Sequence, residues 1–220
     1  MKLFEKKNNT TELVFIIDRS GSMNGFESDT IGGFNSMIKK QSETTGEVLV
    51  TTVLFNNKSE MLHDRVPISE IARMTEQDYQ AMGCTALLDA VGSTVEHISF
   101  IHKYARKSDV PSHTIFVITT DGMENASHRY SATQVKRMIT EKTEKSGWEF
   151  IFLGANIDSI EAARNIGIRS ERAANYMQSR EGYHACYEAM NEFVCKARNS
   201  TMNSIDESWK KSLCDSDNLN

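Results

Sequence analysis

The run Phe15-Ile16-Ile17-Asp18-Arg19-Ser20-Gly21-Ser22-Met23 places a carboxylate at the end of an apolar stretch and two hydroxyls at alternate positions beyond it. Side-chain oxygens of this kind suit a hard divalent cation such as Mg²⁺, which takes octahedral oxygen coordination and retains several waters. Asp18, Ser20 and Ser22 cannot complete that shell alone, so distant segments must contribute. Two fit by residue type. Gly83-Cys84-Thr85-Ala86-Leu87 offers the Thr85 hydroxyl just before a helical stretch, and Thr119-Thr120-Asp121-Gly122 offers the Asp121 carboxylate just after a buried strand. Two carboxylates against a doubly charged ion leave the centre near neutral. The hydroxyls add no charge, so an open coordination position should attract a carboxylate from outside.

The elements that must position these residues alternate strand and helix. Leu13 to Ile17 is a continuous apolar run, as expected of a strand buried on both faces. Ile31, Phe34 and Ile38 mark one face of a helix that Gly46 is expected to stop, with Gly32 and Gly33 read as points of close helix-on-strand packing. Val48 to Phe55 is the second strand. The short Asn56–Ser59 connection then turns Met61 to Val66 back antiparallel, and Asp64 and Arg65 suit an edge strand that must resist further pairing. Residues 67–84 have no clean period. Leu88, Val91, Val95, Ile98 and Ile101 recur at helical spacing, and Thr114 to Thr119 is the next strand. Ser131 with Gln134 and Asp158 with Glu161 resemble capping boxes that open two further helices, the second closed by Gly167. Trp148 to Leu153 and a weaker Ala173 to Tyr176 are strands. A last helix presents Tyr183, Cys186, Tyr187, Met190, Val194 and Ala197 on one side. The expected fold is therefore α/β: a doubly wound, mostly parallel sheet with one antiparallel edge strand and helices on both faces. Residues 1–204 read as a single domain and the polar stretch 205–220 as a flexible tail. In such sheets ligands bind outside the carboxyl ends of the strands, where strand order reverses. Asp18 and Asp121 each sit just past such an end.

Asp18-x-Ser20-x-Ser22, then Thr85, then Asp121 resembles the metal-ion-dependent adhesion site of von Willebrand factor A domains, with all five positions filled in order over roughly residues 10–200. Cys84 stands where many of those domains carry glycine. The resemblance, to compact bacterial or phage-type members, implies a Rossmann-like sheet and Mg²⁺ or Mn²⁺ at Asp18, Ser20, Ser22, Thr85 and Asp121. It also implies capture of an Asp or Glu from a protein partner, in some relatives beside an ATPase complex. Its last helix, Tyr183 to Ala197, would be the element coupled to any exchange of ligands at the ion.

Other residues favour binding over catalysis. A nucleotide loop needs Gly-x-x-x-x-Gly-Lys-Ser/Thr, which is absent, and Gly21-Ser22-Met23-Asn24-Gly25 puts its serine in the wrong place for a hydrolase elbow. The better rival is an Mg²⁺-dependent phosphotransferase or phosphatase using Asp18. That chemistry usually wants a second carboxylate beside the first, whereas the neighbours here are hydroxyls. An ion that only stabilises the fold is a further alternative. Asp89 reads as a residue orienting the site at one remove or as a capping residue, and Glu124 and Asn125 as rim or loop polarity. Cys84, a soft ligand, is expected to pack rather than coordinate. Cysteines 84, 186, 195 and 214 show no metal or redox spacing, and His97 and His102 miss the i, i+4 spacing of a zinc helix. Most methionines fall on apolar faces and read as core. Among 220 residues the net charge is −5, which leaves no basic footprint for nucleic acid or anionic membrane. No apolar run approaches the ~20 residues of a membrane span, and Met1 to Glu12 has no apolar signal core, so a cytoplasmic protein is expected.

Overall fold

The computed structural model describes residues 9–199 and 205–213. In chain order the elements are β1 (Thr11–Asp18), α1 (Glu27–Ser42), β2 (Val48–Phe55), β3 (Ser59–Pro67), α2 (Leu87–Tyr104), β4 (His113–Thr120), α3 (Ala132–Ser146), β5 (Glu149–Gly154), α4 (Ser159–Asn165), β6 (Ala173–Asn175) and α5 (Arg180–Asn199). The strands form one sheet in the order β3-β2-β1-β4-β5-β6. Every pairing is parallel except β2 with β3, which is antiparallel and lies at the edge. This is the doubly wound α/β arrangement expected. β1 pairs with β2 on one side and β4 on the other, so the chain reverses direction across the sheet between β1 and β4.

Strand geometry explains why the middle of β1, Leu13 to Ile17, is apolar. Successive side chains alternate faces, so Leu13, Phe15 and Ile17 join Phe34 of α1 and Tyr187 and Phe193 of α5 on one face. Val14 and Ile16 join Val91 and Val95 of α2, Ile139 of α3 and Ala163 of α4 on the other. A strand covered on both faces has no polar side to show, and all eight residues of β1 are buried.

Several local expectations change in the structure. α1 ends at Ser42, and Gly46 (φ 100°) instead turns the chain into β2. The close approach at Gly33 is helix on helix: a Cβ there would lie 2.1 Å from the Tyr187 ring of α5, whereas one at Gly32 would meet nothing within 4 Å. Ser131 and Gln134 do form a reciprocal capping box, while Asp158 caps α4 by accepting from the Glu161 N–H alone. On β3, Asp64 faces His97, but Arg65 reaches past β2 to the buried Glu12 of β1, its Nε 2.8 Å from the carboxylate, so it serves the interior as well as the edge.

The stretch expected to be a flexible tail is packed over its described part. Ile205, Trp209 and Leu213 are buried, with Trp209 edge-on to Phe193 of α5 at 5.5 Å. The polar residues between them hid an apolar spacing that a short 3₁₀ turn at Glu207–Lys210 brings to one side. Residues 214–220, Cys214 among them, lie outside the described residues. Among those described, no helix is long and apolar enough to cross a membrane.

Candidate metal centre

The site lies at the carboxyl ends of β1 and β4, where the strand order reverses. Asp18 is the last residue of β1 and is fully buried. One of its oxygens accepts from the Ser20 N–H at 2.6 Å, and the other accepts from the Thr120 hydroxyl at 2.6 Å. The Tyr79 hydroxyl, itself buried, donates to the Asp18 carbonyl at 2.5 Å. Beyond Asp18 the chain makes a short 3₁₀ turn at Gly21–Met23. That turn sets the Ser20 and Ser22 hydroxyls 3.0 Å apart, and the Ser22 hydroxyl donates to Asp121 Oδ1.

Thr85 enters from the loop before α2. Its N–H donates to Asn125 Oδ1 at 2.9 Å, and the Asn125 N–H donates back to the Thr85 carbonyl at 3.0 Å. Gly122 then shows how tightly these oxygens converge. A Cβ at Gly122 would sit 3.1 Å from Ser22 Oγ and 3.2 Å from Thr85 Oγ1, so both hydroxyls border one small space and a side chain there would press on them. The structure thus brings together Asp18, Ser20, Ser22, Thr85 and Asp121 from three separate loops. Four are buried, and Ser22 stands exposed at the mouth.

The electrostatics of this cluster are unbalanced. Burial raises the Asp18 carboxyl from 3.8 to about 6, although the hydrogen bonds from Thr120 and Ser20 oppose the shift. Burial also raises Asp121, opposed by Ser22 and Gln178. Among the described residues neither carboxylate has a Lys, Arg or His partner. Arg19, the nearest cation in sequence, turns away to Glu60 at 2.6 Å. Buried carboxylates are normally paired or bound to metal, so the donor set fits a hard divalent cation. No group of three or more His, Cys, Asp and Glu side chains is placed to hold an ion among the described residues. A cation here would depend on hydroxyls for the rest of its protein ligands.

Several residues that organise the site were not singled out in the sequence. Thr120 holds Asp18 and accepts from the Gly122 N–H at 3.3 Å. Gln178, between β6 and α5, donates to Asp121 Oδ2 at 2.8 Å and to the Ser22 carbonyl at 3.0 Å. Their partners lie far off in the chain, so no spacing rule finds them. Asp89, Glu124 and Asn125 have defined work in the structure. Asp89 accepts the backbone N–H groups of His128, Arg129 and Tyr130, each at 2.9 Å, and is thereby held below the usual carboxylate range. Glu124 accepts from the N–H groups of Leu88, Ala126 and Ser127. Together these residues clamp the segment after β4 onto the start of α2, which fixes Thr85 relative to Asp121.

Cys84 is exposed, so it does not pack as expected; its N–H donates to Asn57 Oδ1 at 2.8 Å. Met82 and Met123 are also exposed, on the loops that carry Thr85 and Asp121, rather than in the core. An apolar groove of about 330 Å³, lined in part by Leu87, Gly122, Met123, Ile157 and Ala162, opens beside the centre.

No protein-family model and no curated protein matches the chain. Solved structures do. The chain is similar to proximal thread matrix protein 1 of the mussel byssus, in a structure with a zinc-occupied MIDAS motif, at 14% identity and TM-score 0.59 over 86% of this chain and 47% of that one. It is similar to the manganese-loaded TRAP protein of Plasmodium vivax at 15% identity and TM-score 0.55, over 76% of this chain and 68% of that one. It is also similar to the vWF domain of the type V pili tip protein Mfa5 from Porphyromonas gingivalis, at 10% identity and TM-score 0.60 over 84% and 95%. The chain spans about half the length of the mussel protein. At these identities the likeness is one of fold.

Proposed function

We propose that this chain, which has the von Willebrand factor A-type fold, is a divalent-cation-dependent protein-binding module. Asp18, Ser20, Ser22, Thr85 and Asp121 would hold Mg²⁺ or Mn²⁺, and the partner would contribute an Asp or Glu side chain. A bound cation supplies a Lewis-acidic position that a partner carboxylate can fill. The observation that carries the proposal is the convergence of three hydroxyls on two buried carboxylates that have no basic partner among the described residues. Without a cation the two carboxylates present uncompensated negative charge to an approaching acidic residue, which would repel it.

The chain's own groups have separable tasks. Asp18 and Asp121 balance charge, and Thr120 and Gln178 hold them in place. Ser22, exposed at the mouth, and Thr85, fixed by Asn125, frame the side from which a partner can approach. Phosphotransfer through Asp18 is less well supported. Its carboxylate is fully buried, which keeps a bulky phosphate ester from reaching it.

A ligand that binds only the folded state stabilises it by about 2.7 kcal/mol at a hundredfold excess over its dissociation constant. Thermal melts should therefore rise with Mn²⁺ or Mg²⁺, and an Asp18→Ala, Asp121→Ala double variant should lose the rise. A pull-down in magnesium and again in chelator should recover the partner only with the ion, and Thr85→Ala should weaken capture more than it lowers the melt. An unchanged melt in saturating Mn²⁺ removes the metal. Capture that survives both chelator and Thr85→Ala moves the interface elsewhere and leaves the ion a stabiliser of the fold.

A further inference from the structure

Among the described residues, Gln178 is the one side chain outside the five proposed ligands that hydrogen-bonds both the Asp121 carboxylate and the loop carrying Ser20 and Ser22. Its Nε2 donates to Asp121 Oδ2 at 2.8 Å and to the Ser22 carbonyl at 3.0 Å. Its Oε1 is in turn fixed by Asn156 Nδ2 at 2.5 Å. Asn156 stands just past β5 with a left-handed backbone (φ 55°), and Gln178 stands between β6 and the start of α5. One amide therefore joins four segments: those after β1, after β4, after β5 and before α5.

We infer that Gln178 is a positioning residue for Asp121, held by Asn156, and that it sets how strongly the centre takes up a divalent cation. This inference rests on the cation reading above. Asp121 has two oxygens and two neighbours. The Ser22 hydroxyl takes Oδ1, on the side where Ser22 and Thr85 converge, and Gln178 takes Oδ2 on the other side. With Oδ2 held, the carboxylate cannot turn its plane away from the hydroxyls.

The chemistry of the holding group matters as much as its place. A lysine or arginine at 178 would pin Asp121 equally well, but it would also neutralise the charge that a cation needs. The glutamine amide is a neutral donor, so it orients the carboxylate and leaves its full negative charge available. Its second bond, to the Ser22 carbonyl, couples that orientation to the loop bearing two of the hydroxyls. Residues that hydrogen-bond to metal-ligating carboxylates typically change affinity by about 10–100-fold when removed.

The test is a Mn²⁺ titration, read by the electron paramagnetic resonance signal of the free ion, on the parent chain, Gln178→Leu, Asn156→Ala and the double variant. Melts in chelator serve as the control for folding. Gln178→Leu should weaken Mn²⁺ by roughly 10–100-fold while its melt in chelator stays close to the parent's, because Gln178 is only half-buried. Asn156→Ala should weaken Mn²⁺ less. The double variant should be no weaker than Gln178→Leu alone, since Asn156 acts through the amide that has been removed. If Gln178→Leu binds Mn²⁺ like the parent, the inference falls and the cation site stands. Losses that simply add in the double variant overturn the Asn156–Gln178 linkage. A parent chain that binds no Mn²⁺ overturns the cation reading and this inference together.

Discussion

Asp18 shows how one residue can cost the metal-free fold stability and still serve the proposed site. Its carboxyl is raised to about 6 from 3.8, chiefly by burial. Between those values the folded chain retains a proton that the unfolded chain has lost, so this residue's contribution falls as pH rises from about 4 through 6. A shift of that size corresponds to a cost on the order of 2–3 kcal/mol once the group is ionised. Asp18→Asn keeps the shape and removes the charge. The asparagine carbonyl can still accept from the Ser20 N–H, while its NH₂ can donate to Thr120 Oγ1, whose proton is then free for the Gly122 carbonyl 3.0 Å away. In chelator at pH 7–8, Asp18→Asn should therefore melt above the parent, and the gap should close as pH falls toward 4. In saturating Mg²⁺ the order should reverse, because the variant offers the ion a neutral oxygen. Melting curves on a pH grid with and without magnesium check this, and a gap that does not change with pH would show that the Asp18 charge is already compensated. The five proposed ligands were legible because their types and order are unusual. Thr120 and Gln178 were not, because a threonine and a glutamine acquire meaning only from partners 102 and 57 residues away.

At the level of the elements, what was legible followed from burial. The central strands announced themselves as continuous apolar runs because both their faces are covered, and β3 announced itself through a short connection and its charges. The sequence could not say which neighbour each helix face meets. Gly32 and Gly33 look alike in the chain, yet they occupy different environments on α1. Gly32 is exposed with open space around its missing Cβ, and Gly33 lies against the Tyr187 ring of α5. The same substitution should therefore have opposite signs. Gly32→Ala should stabilise by about 0.5–1 kcal/mol through helix propensity alone. Gly33→Ala should destabilise by about 1–3 kcal/mol, because the buried ring it strikes has no room to retreat. Urea midpoints for the two variants check the pair; equal shifts would mean that α1 and α5 can slide apart without penalty. That interface also carries the Lys40–Glu188 ion pair and the bond from Gln41 Nε2 to Asn191 Oδ1 at 2.8 Å. α5 is thus anchored along much of its length rather than loosely applied, which bears on any motion asked of it at the site.

Across the whole molecule, the two ends of the sheet are assigned different work. The carboxyl ends of the strands carry the candidate centre, and the opposite end is closed in part by the polar stretch that begins at Ile205. Arg172, buried just before β6, pairs with Glu149 at the start of β5 at 3.0 Å and donates to the Ile205 carbonyl at 3.0 Å. From there the chain runs to Trp209, which is fully buried against Phe193. A reading by average polarity misses such a segment, because three well-spaced apolar residues among polar ones suffice to dock it. Replacing a buried tryptophan by alanine typically costs about 3–5 kcal/mol, a large share of the roughly 5–15 kcal/mol that holds a domain folded. Trp209→Ala should therefore lower the thermal midpoint by several degrees, and a chain ending at residue 204 should fall at least as far, since it also loses Ile205 and Leu213. Neither change removes a residue that hydrogen-bonds the side chain of Asp18 or Asp121, so the rise in midpoint on adding Mg²⁺ should survive in each variant that still folds. Melts of the parent, Trp209→Ala and the shortened chain, each in chelator and in magnesium, separate the two effects. A shortened chain that melts with the parent would show that residues 205–213 rest on the core without holding it. A lost magnesium response in Trp209→Ala, at a temperature where it is folded, would show instead that the packing of α5 reaches the centre at the other end of the sheet.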